Sequence, residues 1–596
     1  MSSLSANLLS DHFEIDIVKI TYFGQCILYK NRNFRRKGIA VEKKDKRSRF
    51  SGLMIGLGTC SCLLGMTAQA FAAPPDANVI AGQDAGAELS RLQREQQRRE
   101  QQETLASGGQ EGLDAQPTAP AAEQTGLSFA LKGVTFDPSA IFTGQELDAF
   151  ASGLLEKEVT VSDLYDLVAK INAAYDARGR LTCRAMLAPQ TIRGGIVHIT
   201  LIEGRTGAVT VEGNRHTAQS FLEYRLGIEH GAIPDFNELN RRLLRFNASF
   251  DAPLRVRMAA GAEEGTTDYV LEIAEPRNET IAVYADNMGS ISTGRERVGL
   301  IYTNRSLSGS RDRLTLMTLD ARGMRSFLGN YQVPLGRDGS TLRIGYSANA
   351  THIVKGVLEP LRVRGHSMGV NLGFNIPLYV TRTRKTELYA GYGYTHAQTD
   401  FATNHWIDDT TNGYNISLTQ TLYGRKSALL FTNGIRAGAS ENIAHEETRF
   451  SMYQGNVFYQ TRTHGNQLLT ARLDGQIGFA NYLPSAERFY IGGAQTVRGY
   501  EESLMGGDSG YAASIEYAFP MLPRSAAYGS IFYDFGAVYG DSAFDDHILS
   551  AWGVGIRTAA SEPVYAQLTV GFPLRKELND VKHKGVRLHF SLNATL

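Results

Sequence analysis

No charge of one sign dominates this 596-residue chain: Lys plus Arg and Asp plus Glu number 61 each. That balance removes the global basic excess that binding to a nucleic-acid backbone requires. Proline is scarce at 17 and tryptophan scarcer at two, while four cysteines are too few for a disulfide-stapled scaffold. No Walker-type nucleotide loop lies beyond the N-terminal region, so the sequence offers no ATP-driven step. Apolar runs approaching the roughly 20 residues of a membrane-spanning helix are also missing, with one exception near the N-terminus. What the chain has in quantity is glycine, 61 residues, together with 27 tyrosines and 27 phenylalanines. This composition suits strands with aromatic bands more than a helical bundle.

The exceptional run, FSGLMIGLGTCSCLLGMTAQAFAA, follows the basic stretch RRKGIAVEKKDKRSR and carries small residues at Ala68, Ala70 and Ala72. Basic segment, short apolar core and small residues form an export signal, cut after Ala70 or Ala72. A permanent anchor helix is the alternative, disfavoured by the Gly, Ser, Thr and Gln that interrupt the run. The segment from Met1 to Lys44 is long for a signal, which leaves an extended signal region and an early-assigned start both open. Cleavage removes Cys26, Cys60 and Cys62, so Cys183 remains alone and reads as a packing residue.

From Asp84 to Leu105 the chain reads DAGAELSRLQREQQRREQQETL, good helix formers with almost no apolar residue beyond Leu89, Leu92 and Leu105. A helix polar on all sides has no core to join, so it belongs in solvent, a linker or a water-filled polar cavity. A Gly/Pro/Ala/Gln-rich linker over 107–126 follows. Two α+β units come next, over 127–206 and 207–276, each read as β-α-α-β-β. In the first, Thr143 and Glu146 form a capping box, and Ser162 is expected to cap a helix with Leu164, Leu167, Val168, Ile171 and Tyr175 at helical spacing. In the second, Asp235 and Glu238 open a helix through Leu239, Leu243 and Phe246.

Helical periodicity disappears over 277–596, where segments of roughly ten residues alternate apolar and polar side chains between Gly, Asn, Asp and Ser. The last is the clearest: Val586, Leu588, Phe590, Leu592, Ala594 and Leu596 alternate with Arg587, His589, Ser591, Asn593 and Thr595. A soluble sandwich alternates too. Export, the absence of helical pattern and a polar face bearing Arg, Glu and His favour instead a transmembrane antiparallel β-barrel of about 16 strands, apolar toward lipid and polar toward a lumen.

At this point the residues resemble a known family, the outer-membrane transporters of two-partner secretion (TpsB, the ShlB/FhaC/HecB hemolysin secretion/activation family). In NAAYDARGRLTCRAMLAPQTIRGGIVHITLIEGR, Asn172, Tyr175, Gly179, Arg184, Pro189, Gln190, Glu203 and Gly204 match the family's first POTRA domain, and the second unit resembles its second. Val497, Arg498, Gly499 and Tyr500 match a loop motif VRGY, and Phe532, Asp534 and Gly536 a barrel-wall motif F-x-D-x-G. Departures are Arg180 after Gly179, where Tyr is usual, and a terminal Leu596 in place of Phe.

The resemblance implies that the VRGY loop folds into the lumen and that Arg498 pairs with Asp534, either stiffening the barrel or tuning its opening. It implies periplasmic POTRA domains that add an unfolded client as an extra strand, and a polar helix at 84–105 that plugs the pore at rest. The implied partners are a secreted β-helical exoprotein carrying an N-terminal secretion domain and outer-membrane lipid, with no cofactor, metal or nucleic acid. Three rivals remain. Gly507, Asp508, Ser509 and Gly510 spell a serine-protease nucleophile signature but also make good turn chemistry. An outer-membrane insertase or assembly factor shares the barrel motifs, and a passive porin would need no peptide-binding modules.

Overall fold

The computed structural model describes residues 84–106 and 128–596, except 357, 402–403, 480–482, 522–525, 541–546, 559–562, 576, 579–580 and 583–584. The export signal with its three cysteines and the 107–126 linker lie outside the described residues. A 22-residue helix, α1 (Ala85–Ala106), opens the described chain.

The first module contains β1 (Ser128–Leu131), β2 (Gly133–Phe136), α2 (Gly144–Ala151), β3 (Lys157–Thr160), α3 (Val161–Ala177), β4 (Cys183–Met186) and β5 (Ile196–Glu203). Its sheet order is β2-β5-β4, with β2 parallel to β5, and β1 pairs separately with β3. The expected single first strand is therefore two, broken at Lys132, so that β1 leaves the main sheet to meet the short strand ahead of α3. That helix starts earlier than Ser162 because Thr160 is its cap: the Thr160 hydroxyl accepts from Asp163 N–H at 3.3 Å, and the Asp163 carboxylate accepts from Thr160 N–H at 2.7 Å. The same reciprocal pair joins Thr143 and Glu146 at α2. Helices and sheet close over Phe142, Leu147, Leu167, Ile171, Tyr175 and Ile199, and Cys183 is buried among them.

A single residue, Gly204, separates β5 from the second module: β6 (Arg205–Glu212), α4 (Gln219–Leu226), α5 (Phe236–Ser249), β7 (Leu254–Ala260) and β8 (Thr266–Ile273). A side chain at Gly204 would meet the Thr182 carbonyl at 2.6 Å, so only glycine lets the chain pass here. The sheet order β6-β8-β7 and a parallel β6–β8 pair repeat the first module's arrangement.

Among the described residues, sixteen antiparallel strands then close into a barrel. The first half is β9 (Glu279–Asp286), β10 (Arg297–Asn304), β11 (Arg313–Ala321), β12 (Met324–Pro334), β13 (Thr341–His352), β14 (Val363–Val380), β15 (Arg384–Phe401) and β16 (Asn404–Tyr423). The second half is β17 (Ser427–Glu441), β18 (Glu447–Arg462), β19 (Leu468–Gly478), β22 (Ser509–Pro520), β23 (Ala527–Tyr539), β24 (Ile548–Thr558), β25 (Val564–Pro573) and β28 (Arg587–Thr595). A small hairpin, β20 (Phe489–Ile491) with β21 (Met505–Gly507), lies between β19 and β22, and a ribbon of β26 (Glu577–Leu578) and β27 (Val581–Lys582) lies before β28. The last strand pairs with the first, Ser591 opposite Asp286 through Thr595 opposite Ala282, which leaves no open edge.

Alternation assigns the two faces. Leu588, Phe590 and Leu592 point outward and stay exposed, whereas His589 is buried inside. The outer wall continues as a broad apolar surface through Val298, Leu300, Val370, Leu372, Ile416 and Ile435, an area far larger than a soluble protein leaves uncovered. No described helix is long and apolar enough to cross a membrane, so crossing falls to the strands.

The second module docks on one end of the barrel. Ala218 N–H donates to Gly309 O at 2.9 Å, Arg225 Nη1 to Leu335 O at 3.2 Å, and Lys385 Nζ to Ala248 O at 2.7 Å, thereby tying α4 and α5 to the β10–β11 and β12–β13 connections and to the start of β15. This is the module end of the barrel.

Candidate functional site

Inside the barrel, the connection ahead of β22, described from Leu483 to Asp508, folds back into the lumen and brings Arg498 to the wall. On β23 the two-residue period points Phe532, Asp534 and Gly536 inward together, and on β22 it does the same for Ser514 and Glu516. The Arg498 guanidinium donates from Nε to Asp534 Oδ2 at 2.7 Å and from Nη2 to Asp534 Oδ1 at 2.8 Å. Its backbone N–H reaches the same carboxylate at 3.0 Å. Nη1 continues to Glu516 at 2.7 Å and Nη2 to Ser514 at 3.1 Å, while the guanidinium carbon sits 3.4 Å from the centre of the Phe532 ring. This fork geometry sets direction as well as distance, which a lysine could not do.

The neighbours of Arg498 have separate tasks. Val497 and Tyr500 are buried with Ile491, Met505, Val538 and Leu549 in a small apolar cluster between loop and wall. The Tyr500 hydroxyl lies 3.0 Å from Ser550 O and 3.1 Å from Arg575 O, fastening the loop to β24 and its neighbour. Gly499 adopts φ +103°, and a side chain there would press on Pro573 and Ala551. At Gly536 a side chain would reach Val497 at 3.0 Å, so the wall leaves room for the loop only because this position is bare.

Helix α1 runs through the same lumen. Its N-cap Asp84 accepts from Ala87 N–H at 2.6 Å. Along its length Glu95 pairs with Arg297 at 3.3 Å, Gln93 donates to Ser347 at 3.1 Å, Arg98 pairs with Asp474 at 3.2 Å, and Glu100 pairs with Arg343 at 2.7 Å. Arg98 also donates to Gln495 O at 2.7 Å, joining the helix to the folded-in loop three residues before Arg498. The helix is not wholly without an apolar side, for Leu92 packs with Tyr284, Met317, Leu319, Met324 and Leu328 of the wall. Of the three settings open from its sequence, the one nearest to what it occupies is the cavity: it lies inside the barrel, against polar wall and loop residues.

In the first module the motif residues gather around the turn into β4 and the end of β5. Tyr175 is fully buried, and its hydroxyl donates to Glu203 at 3.0 Å; the other Glu203 oxygen accepts from Ala140 N–H at 2.8 Å, and Ser139 also binds this carboxylate. Burial together with the adjacent Glu203 carboxylate pushes the Tyr175 phenol well above its ordinary range. Asn172 clamps β4 by accepting from Ala185 N–H at 2.7 Å and donating to its carbonyl at 3.2 Å. Gln190 does the same for β5, with its side-chain amide bonded to both backbone groups of His198 at 2.8 and 2.6 Å. Arg184 pairs with Asp176 at 2.9 Å, and Pro189 is exposed just before Gln190. Gly179 at φ +70° turns the chain toward the second module, where its carbonyl accepts from Phe236 N–H at 2.8 Å and Arg180 donates to Ile233 O at 2.8 Å.

The residues that sequence reasoning passed over are Ser514 and Glu516, the Arg98–Asp474 pair, and the Arg297–Asp286–Glu95 cluster. Ser514 and Glu516 lie two apart on one strand, a signal that period-two alternation could have flagged; the helix-to-wall pairs are far apart in sequence and carry none. The protease-like run lies at the start of β22, where Ser509 Oγ accepts from Gly478 N–H at 3.0 Å and Asp508 pairs with Arg488 at 3.3 Å. Among the described residues, no group of three or more His, Cys, Asp or Glu side chains is placed to hold a metal ion.

Comparison with known proteins follows the same outline. Residues 265–558 match the family described as haemolysin secretion/activation protein ShlB/FhaC/HecB, and residues 129–204 match the ShlB-type POTRA domain. The heme/hemopexin transporter protein HuxB of Haemophilus influenzae is 26% identical over 525 residues, covering 82% of this chain and 92% of HuxB. The outer membrane protein assembly factor BamA of Neisseria meningitidis is 28% identical over only 185 residues, 27% of this chain and 22% of BamA. The solved structure of CdiB from Escherichia coli superposes with a TM-score of 0.63 at 18% identity, covering 89% of this chain and all of that one, which makes the fold common to both.

Proposed function

Because this chain belongs to the ShlB/FhaC/HecB haemolysin secretion/activation family, the two-partner secretion transporters of the bacterial outer membrane, we propose that its barrel is the conduit for one secreted exoprotein. The module end faces the periplasm and the other end faces the cell exterior. One observation carries the reading: the lumen of a closed barrel is filled by a helix and a loop held largely through ion pairs and hydrogen bonds, contacts that water can replace.

A client carrying an N-terminal secretion domain arrives unfolded and is recognised by the two POTRA modules, whose three-stranded sheets can accept an extended segment at an edge. Withdrawal of α1 opens the path. Arg498 and Asp534 hold the loop against the wall while the lumen changes contents, a positioning role with no bond chemistry. The client folds outside as a β-helix that cannot slide back, so passage is directional without ATP and without enzymatic activity. Removal of Phe129 to Gly204 tests this account. Client export stops while the barrel still inserts, judged by heat-modifiable migration on gels; continued export by the truncated protein would overturn it.

A further inference from the structure

The ion pairs along α1 account for its middle and its module end, but its N-terminus meets the wall differently. There a cavity is bordered by Asp84 and by wall residues of β15 and β16, among them Thr395, Thr399, Asp409 and Thr411, with Ser485 of the folded-in loop on the remaining side. It leaves room for about one water-sized particle. Among the described residues no lysine or arginine borders it, so two carboxylates face each other there and repel.

Two further observations point into this space. Asp84 is 4% exposed, and while its Oδ1 caps the helix, its Oδ2 has no hydrogen-bond partner. Thr399 is 3% exposed and its hydroxyl is likewise unpartnered. Burying a carboxylate oxygen without a partner is unfavourable, and a second carboxylate nearby makes it more so. Oxygen donors of carboxylate and hydroxyl type, without nitrogen or sulfur, are the set that hard divalent cations take.

We propose that this cavity binds a divalent cation of the Ca2+ class between Asp84 on the helix and Asp409 on the wall, with the Thr399 hydroxyl completing the protein ligands and water the rest. Two carboxylates are fewer than tight calcium sites use, which places affinity in the range of extracellular modules, about 0.1 to 1 mM. The site lies at the end of the lumen facing the cell exterior, so it samples the cation content of the medium. Occupied, it ties the tip of α1 to β16; emptied, it leaves two like charges pushing the helix off the wall.

The effect on conductance rests on the reading of α1 as a plug, but the existence of the site does not, and two measurements separate them. Detergent-solubilised protein stripped with EDTA is titrated with CaCl2 by isothermal titration calorimetry, then reconstituted in planar bilayers with and without CaCl2. The expected result is saturable binding, half-maximal at about 0.1 to 1 mM, lost in both Asp84→Asn and Asp409→Asn. Asparagine still caps a helix, so α1 persists in the first variant, and heat-modifiable migration verifies the barrel in both. The wild-type open fraction falls on adding CaCl2, and that of Asp409→Asn does not respond. No saturable binding by wild type, or binding unchanged in both variants, overturns the site. Binding that both substitutions abolish, with a conductance indifferent to CaCl2, upholds the site and overturns the plug.

Discussion

At the scale of single residues, Arg498 shows how much one side chain can hold. It is nearly buried, and Asp534 is wholly so. Breaking a buried pair by removing one partner costs about 3 to 5 kcal/mol, mostly because the other charge is stranded. Here Glu516 and Ser514 share the guanidinium, so the loss reaches a network rather than a pair. Arg498→Ala should therefore lower client export strongly and leave barrel assembly nearly intact, as read by secreted client and heat-modifiable migration. Normal export by this variant would remove the pair from the mechanism. Arg498 and Asp534 were legible as short motifs about 35 residues apart; period-two alternation could place Glu516 and Ser514 on the inward face of their strand, but not name Arg498 as their partner.

At the scale of elements, α1 and the strands obey different rules. Strands alternate because each must satisfy lipid on one side and lumen on the other, so their pattern was readable throughout. Helix α1 satisfies only the lumen, which is why its sequence looks polar on nearly every side. The half-exposed Glu100–Arg343 pair contributes about 1 kcal/mol or less, whereas Glu95–Arg297 is buried and its loss costs more. A Glu95→Gln, Arg98→Gln double variant removes the bonds to Arg297 and Asp474, and each 1 kcal/mol lost raises the open-to-closed ratio roughly fivefold. Planar-bilayer recordings are expected to show this increase. An unchanged open fraction would mean that Leu92 and the wall cluster, rather than the ion pairs, hold the helix. Local chemistry was less decisive at element ends: Thr160 outcompeted Ser162 as a cap because Asp163 three residues on could reciprocate.

At the scale of the whole molecule, closure depends on β28 meeting β9 over five residue pairs, fewer than the eight that join β9 to β10. Those pairs involve Ser591 to Thr595, the last full turn of alternation before the chain's final residue. Removing Ser591 to Leu596 takes away the whole seam, and each backbone group left unpaired in lipid costs several kcal/mol. The truncated protein should fail to acquire heat-modifiable migration in outer-membrane vesicles; a folded, detergent-extractable barrel from this variant would show that closure does not need the seam.

The residues alone determined that most of the chain would be strands with one face for lipid, that two small α+β units would precede them, and that a polar helix would need a wet environment. These are consequences of local periodicity and of side-chain solubility, which neighbouring residues express directly. Only the tertiary structure decided that the helix lies in the lumen, that Arg98 reaches a loop residue almost four hundred positions away, and that Asp84 and Asp409 face each other across a cavity. Such contacts depend on how far the sheet curls before it closes, a property of all sixteen strands together and of no segment of them.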